Sequence, residues 1–157
     1  METAIGIKPE IAASVALTLA GILADEYVLY TKTKKAHWNV EGLDFHAKHL
    51  LFESQFKQLD ELIDDLAERI RTIGHYVSGS LKEFLSLTSL SEKSNNSNDS
   101  KGNIKDLLSD HQSIIINIRE AINSGDGKAL DLGTSDFLTG VMANHEKMAW
   151  MLSASLK

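Results

Sequence analysis

The sequence predicts an all-α fold, a four-helix bundle with a short extra helix between its second and third long helices, in one domain covering residues 1–157. Three observations predict it. Apolar residues recur every three to four positions along four long stretches, only one proline interrupts the chain, and no strand pattern is visible. A chain of 157 residues can bury one substantial core without metal or disulfide staples, so the fold must come from packing.

The first long helix, helix A, is expected over roughly 9 to 40. Pro9 suits a first helical turn, and Ile11, Val15, Leu19, Ile22, Leu23, Leu29 and Tyr30 form the apolar stripe. Lys32, Lys34 and Lys35 lie near the end, where cations suit the helix dipole, and Gly42 is the expected stop. Asp44 is the expected cap of helix B, whose stripe reads Phe45, Phe52, Phe56, Leu59, Ile63, Leu66, Ile70 and Ile73 before Gly74 ends it. Between Ser80 and Leu90, the residues Leu81, Phe84, Leu85 and Leu87 suit a short covering helix. The segment from Ser91 to Asn103 lacks apolar residues and reads as an exposed loop. Asn103 is then the expected cap of helix C, with Ile104, Leu107, Leu108, His111, Ile114, Ile115, Ile118 and Ile122 inward and a turn at Ser124-Gly125-Asp126-Gly127. Thr134 or Ser135 should cap helix D, whose stripe is Phe137, Leu138, Val141, Met142, His145, Met148, Ala149 and Leu152.

Composition narrows function. Hydrophobic residues at 43% and charged residues at 24% give the balance of an ordinary globular protein, and no apolar run approaches the roughly 20 residues of a spanning segment. The stretch from Ala12 to Ala24 is apolar, but Lys8 is the one basic residue before it, so a cytoplasmic rather than exported protein is expected. With no cysteine, disulfides and thiolate metal sites are excluded. A net charge of −6 disfavours nonspecific attraction to nucleic acid or anionic membranes, whereas a cation is a natural partner.

Helix B carries four candidate metal ligands in two pairs spaced by four residues, His49 with Glu53 and Asp64 with Glu68. At 100° per residue from Phe45 they fall at about 40°, 80°, 100° and 140°, on one flank about 120° from the centre of the apolar stripe. Glu53 and Asp64 are about 16 Å apart along the axis, too far for one metal centre within one chain. The two outer residues and the two inner ones nevertheless share a single midpoint, between Gln58 and Leu59. A two-fold axis crossing there would set His49 against Glu68 of a second copy and Glu53 against its Asp64, giving two identical mixed sites in an antiparallel dimer. His37, near the end of helix A, is available as a further nitrogen ligand. Carboxylates with one or two imidazoles suit iron(II), with manganese and zinc as competitors. The competing reading pairs Asp64 and Glu68 with Arg69, Arg71 or Lys57 as ordinary surface charges. Glu-x-x-His on two helices, the within-bundle di-iron signature, is absent.

From His37 the chain reads H-W-N-V-E-G-L-D-F-H-A-K-H-L-L-F-E, and D-D-L-A-E-R-I follows at 64–70. This resembles the signature of the Dps family of ferritin-like mini-ferritins, and the resemblance extends from helix A to the closing M-A-W-M-L segment. It implies a homo-oligomeric, dodecameric hollow shell that oxidises ferrous iron, with hydrogen peroxide as favoured oxidant, and stores ferric mineral inside. His37, His49 and Glu53 match the ligands of one subunit, and Asp64 and Glu68 those of its two-fold mate. Many members have Asp where this chain has Glu53. Glu68 is the candidate bridging carboxylate, and Trp38 a candidate sink for stray oxidising equivalents, although a buried packing role is the stronger expectation for it. Asp126, Asp131 and Asp136 resemble the family's acidic three-fold pores, through which iron would pass. Asp136 could equally serve the helix N-terminus. His46, His75, His111 and His145 are weaker ligand candidates, the last two expected to be packed in the core. The family name refers to DNA, so a nucleoid-binding protein with incidental metal binding is the rival. Lys8 and Lys157 are the basic residues its termini offer, and little DNA binding is expected.

Overall fold

The computed structural model describes residues 4–94, 98–124 and 130–157. Five helices follow in order: α1 (Pro9–Asn39), α2 (Phe45–Thr72), α3 (Leu81–Leu87), α4 (Ser100–Asn123) and α5 (Leu132–Ala154). The four long ones form the bundle, and short α3 packs against α1. Among the described residues the sole β pairing is an isolated bridge between Glu41 and Asp99.

The periodic apolar positions became the core. Leu19, Leu23 and Leu29 of α1, Phe52, Leu59 and Leu66 of α2, Ile104, Leu107 and Ile118 of α4 and Leu138, Met148 and Leu152 of α5 are all buried in one cluster. Helix α1 is long and apolar enough to cross a bilayer, but 56% of its most apolar window is already buried inside the bundle. Its composition is that of a core helix.

Chain reversals are set by two glycines. Gly42 (φ +124) follows the extended Val40 at the end of α1, and Gly74 (φ +93) follows the last turn of α2. Both sit in backbone geometry that a Cβ would disfavour.

Several expected boundaries shift. Asp44 occupies the N-cap position of α2 without capping it, because its carboxylate instead accepts a hydrogen bond from Ser100 Oγ at 2.7 Å. That contact ties the first reversal to the start of α4. The third long helix begins at Ser100, capped by Asp99, whose Oδ1 accepts from Gly102 N at 2.7 Å; Asn103 therefore lies inside the helix. Likewise α5 is capped by Asp131, which accepts from Thr134 N at 3.0 Å, and both Thr134 and Ser135 lie inside the helix. Phe45 is exposed, since the first turn of α2 lies beside the reversal rather than over the core. In α3 only Phe84 is buried, stacked on Tyr27 with centroids 4.1 Å apart, while Leu81, Leu85 and Leu87 face outward. The expected turn at 124–127 lies largely outside the described residues.

Packing is most extensive within the hairpins α1–α2 and α4–α5, and thinner where the two hairpins meet. Polar groups cross that seam. The Lys32 ammonium pairs with Asp110, and the Gln55 side-chain amide donates to the Met148 carbonyl at 3.2 Å. Glu26 meets His145, which meets His111, all three wholly buried.

Candidate metal centre

The site begins at the reversal between α1 and α2. Where α1 ends, His37 O has lost its helical partner, because Glu41 N donates to Asn98 O instead. His49, one turn into α2, fills the gap: its Nδ1 lies 2.8 Å from His37 O, and His37 Nδ1 lies 2.9 Å from His49 O. A carbonyl can only accept, so each Nδ1 carries the proton and donates. In the neutral form of each ring the lone pair is therefore on Nε2, the tautomer a metal ligand requires. The two rings stack with centroids 3.8 Å apart and planes 21° apart. Phe56 meets His37 edge-on at 5.2 Å, and Phe45 lies 5.1 Å from His49. The imidazoles are thus held by backbone and by aromatic walls before any ligand arrives.

Glu53 stands one turn beyond His49 on the same flank. Lys57, a turn further, donates to its Oε1 at 2.6 Å. This hydrogen bond and charge, with smaller contributions from His37 and His49, hold the Glu53 carboxyl below its ordinary range. The carboxylate is therefore ionised and sits within the electrostatic reach of both imidazoles.

Asp64 and Glu68 lie further along α2, exposed and with no hydrogen bond or ion pair among the described residues. The cations that could have neutralised them are engaged elsewhere. Lys57 holds Glu53. Arg69 pairs with Asp131 at 3.0 Å and also donates to Thr134 Oγ1. Arg71 donates to His75 O at 2.8 Å and lies over the Tyr76 ring. The surface-charge reading of Asp64 and Glu68 thus has no partner of the kind it named. Nor does one protomer finish the site: among the described residues no three His, Asp or Glu side chains converge as a metal set.

Other candidates are placed individually. Trp38 is 66% exposed in the protomer, so the expectation of a packed tryptophan fails there. Asp131 is committed to its cap and to Arg69, and Asp136 is exposed near the start of α5; Asp126 lies outside the described residues. His111 and His145 are wholly buried, as expected of packed histidines.

Two cations to which the sequence reading gave other roles neighbour the site. Lys34 donates to Tyr30 OH at 3.1 Å, and its ammonium lies 5.1 to 5.5 Å from the rings of Tyr30, Phe56 and Trp38. Lys57 is the other. Their spacings from His37 and Glu53, three and four residues, were the available signals.

Comparison with known proteins agrees with this architecture. A family profile described as a ferritin-like domain matches residues 17–157. An uncharacterized low temperature-induced protein of Nostoc sp. is 40% identical over 153 residues, covering 98% of this chain and 86% of the relative. A DNA protection during starvation protein of Helicobacter pylori is 34% identical over 138 residues, covering 88% of this chain and 95% of its own. Among solved structures, a Dps protein from Vibrio cholerae O1, described as a member of a broad superfamily of ferritin-like diiron-carboxylate proteins, superposes with a TM-score of 0.87 at 30% identity. That match covers 99% of this chain and 96% of the other. DpsC from Streptomyces coelicolor gives a TM-score of 0.93 at 25% identity, over 100% of this chain and 91% of its own. From the bundle, the matched span and these relatives, the chain belongs to the Dps family of ferritin-like proteins.

Proposed function

We propose that this protein is a ferroxidase and iron store of the cytoplasm: it oxidises ferrous iron, with hydrogen peroxide preferred over dioxygen, at sites shared between two protomers. Ferric mineral is then kept inside a hollow dodecameric shell, and the cell is protected from oxidative damage.

The observation that carries this reading is the divided flank of α2. One end presents His49 beside an ionised Glu53, with His37 of α1 stacked on His49 and both rings turned so that Nε2 points away from the backbone hydrogen bonds. The other end presents Asp64 and Glu68, without partners among the described residues, and these two mirror Glu53 and His49 about the midpoint of the helix. A second protomer related by a two-fold axis at that midpoint would complete each set with the other. Three carboxylates and two imidazoles then match the donor preference of iron(II), with zinc and manganese able to compete.

Iron is the substrate here. Two ferrous ions held side by side give one electron each to hydrogen peroxide, yielding two ferric ions and two hydroxides. The O–O bond is cleaved by an electron pair, and hydroxyl radical is avoided. His37 and His49, fixed by their backbone hydrogen bonds, orient the first ion. Glu68 is the candidate bridge between the two positions. Trp38, exposed beside His37 in the protomer, is the proposed sink for stray oxidising equivalents. Asp126, Asp131 and Asp136 are proposed to line the way in for iron, with Asp131 contributing less than its charge suggests because Arg69 offsets it.

The test is to add ferrous iron anaerobically, then peroxide, and follow ferric absorbance for the native chain and for a His37→Ala, Asp64→Ala double variant. Equal rates would eliminate the centre. A nucleoid-binding role is the second reading, favoured by the similarity to the DNA protection during starvation protein of Helicobacter pylori. The net charge of −6 opposes it, and a low-salt gel shift near neutral pH should show no retained DNA.

A further inference from the structure

The two hairpins of the bundle are joined at their seam by a buried chain of ionisable groups. His145 of α5 donates through Nε2 to Glu26 Oε1 of α1 at 2.6 Å, and its Nδ1 faces His111 Nδ1 of α4 at 2.9 Å. All three side chains have no solvent exposure. Among the described residues, the buried polar side chain that α2 brings to the seam is the neutral Gln55. The neighbouring seam charges, Lys32 of α1 and Asp110 of α4, are matched to each other.

The geometry limits what this chain can be. Glu26 and His111 lie at opposite nitrogens of the His145 ring, so the three do not converge on one point and do not form a metal set. It also limits the proton count. Two Nδ1 atoms 2.9 Å apart can hold one proton between them, since two N–H groups would point into each other. The proton that His145 gives to Glu26 and the one shared between the two Nδ1 atoms account for one proton on each imidazole, so both rings are neutral in this arrangement. A further proton could settle only on His111 Nε2 and would make that ring an imidazolium in a dry core, with its centroid 5.1 Å from that of the His145 ring. His111 Nε2 has no partner among the described residues and so no group to stabilise an added proton.

We propose that Glu26, His145 and His111 form an acid-releasable clasp: one shared proton holds the two hairpins together, and a second proton, taken up at His111, opens the bundle along the seam. Burial first, then the electrostatic influence of His145, hold His111 well below the ordinary imidazole value of 6.5. The unfolded chain takes up that proton below the ordinary value and the folded chain does not. Stability is therefore full above that range and declines as pH falls through it, by about tenfold in the folding equilibrium constant per pH unit for one proton.

The experiment is urea unfolding of the full-length protein at fixed concentration, from about pH 7.5 to about pH 4.5, for the native chain and for His111→Gln. The native curve should fall more steeply than the variant's by that single-proton slope. Parallel curves would overturn the clasp. Hydrogen exchange on the native protein, corrected for intrinsic rates, keeps the question decidable if the variant does not fold. At about pH 5, peptides around Glu26, His111 and His145 should lose protection before the rest of the core, and protection unchanged from about pH 7 would overturn it equally.

Discussion

If each site draws His37, His49 and Glu53 from one protomer and Asp64 and Glu68 from its mate, two inactive variants should rescue each other. One perturbation is His37→Ala, which removes a ligand fixed by the His49 carbonyl; the other is Asp64→Ala, at an exposed position whose loss leaves the core intact. In a homodimer of either variant, both sites lack a ligand. In a mixed dimer one site carries both lesions, and the other draws its imidazoles from the Asp64→Ala chain and its acids from the His37→Ala chain. That second site is intact. Random pairing of equal amounts makes about half of the dimers mixed, each with one of two sites restored, so about a quarter of native sites should return. The assay is co-expression with two different affinity tags, sequential purification through both, and peroxide-driven ferric absorbance per subunit. Native chains carrying the same two tags set the full rate. Mixed oligomers no faster than either variant alone would show that all the ligands act within one chain, and the shared site would have to be abandoned.

Three further outcomes follow from the same contacts. Lys57→Gln removes the ammonium that occupies Glu53, so the ferrous concentration for half-saturation should fall by about twofold, the scale expected when an exposed ion pair ceases to compete; an unchanged titration would mean that Glu53 is not a ligand. Phe52→Ala empties a wholly buried ring from the bundle core and should cost about 3–5 kcal/mol in urea unfolding. Asp131→Ala deletes the α5 cap and leaves Arg69 without its carboxylate, a loss of about 1–2 kcal/mol read by thermal melting, and a shift no larger than that of an exposed Asp136→Ala control would contradict the capping role.

Helix existence was legible because burial on one face imposes its own period. Leu19, Leu59, Ile118 and Leu138 follow that period and are wholly buried. Caps were less legible. Asp99, Ser100 and Asn103 are all acceptable residues near a helix start, and the choice fell to Asp99, whose carboxylate reaches Gly102 N. Asp44 looked equally suitable for α2 but was drawn away by Ser100, a residue 56 positions along the chain. Phe45 belongs to the stripe by angle and is nevertheless exposed, because an angle on a helix does not say whether another element overlies that turn. Glu26 shows the opposite failure: a carboxylate among the apolar residues of α1 is fully buried, since its partner, His145, lies 119 positions away.

The sequence by itself determined the four long helices and the common flank of His49, Glu53, Asp64 and Glu68, because positions along one helix follow from a fixed rotation and rise per residue. Only the tertiary structure decided that His37 and His49 lock each other's tautomers, that Arg69 turns to Asp131 and leaves Glu68 free of it, and that Glu26 and two histidines meet in the core. These pairings depend on how helices distant in the chain are packed against each other, a register that no local periodicity encodes.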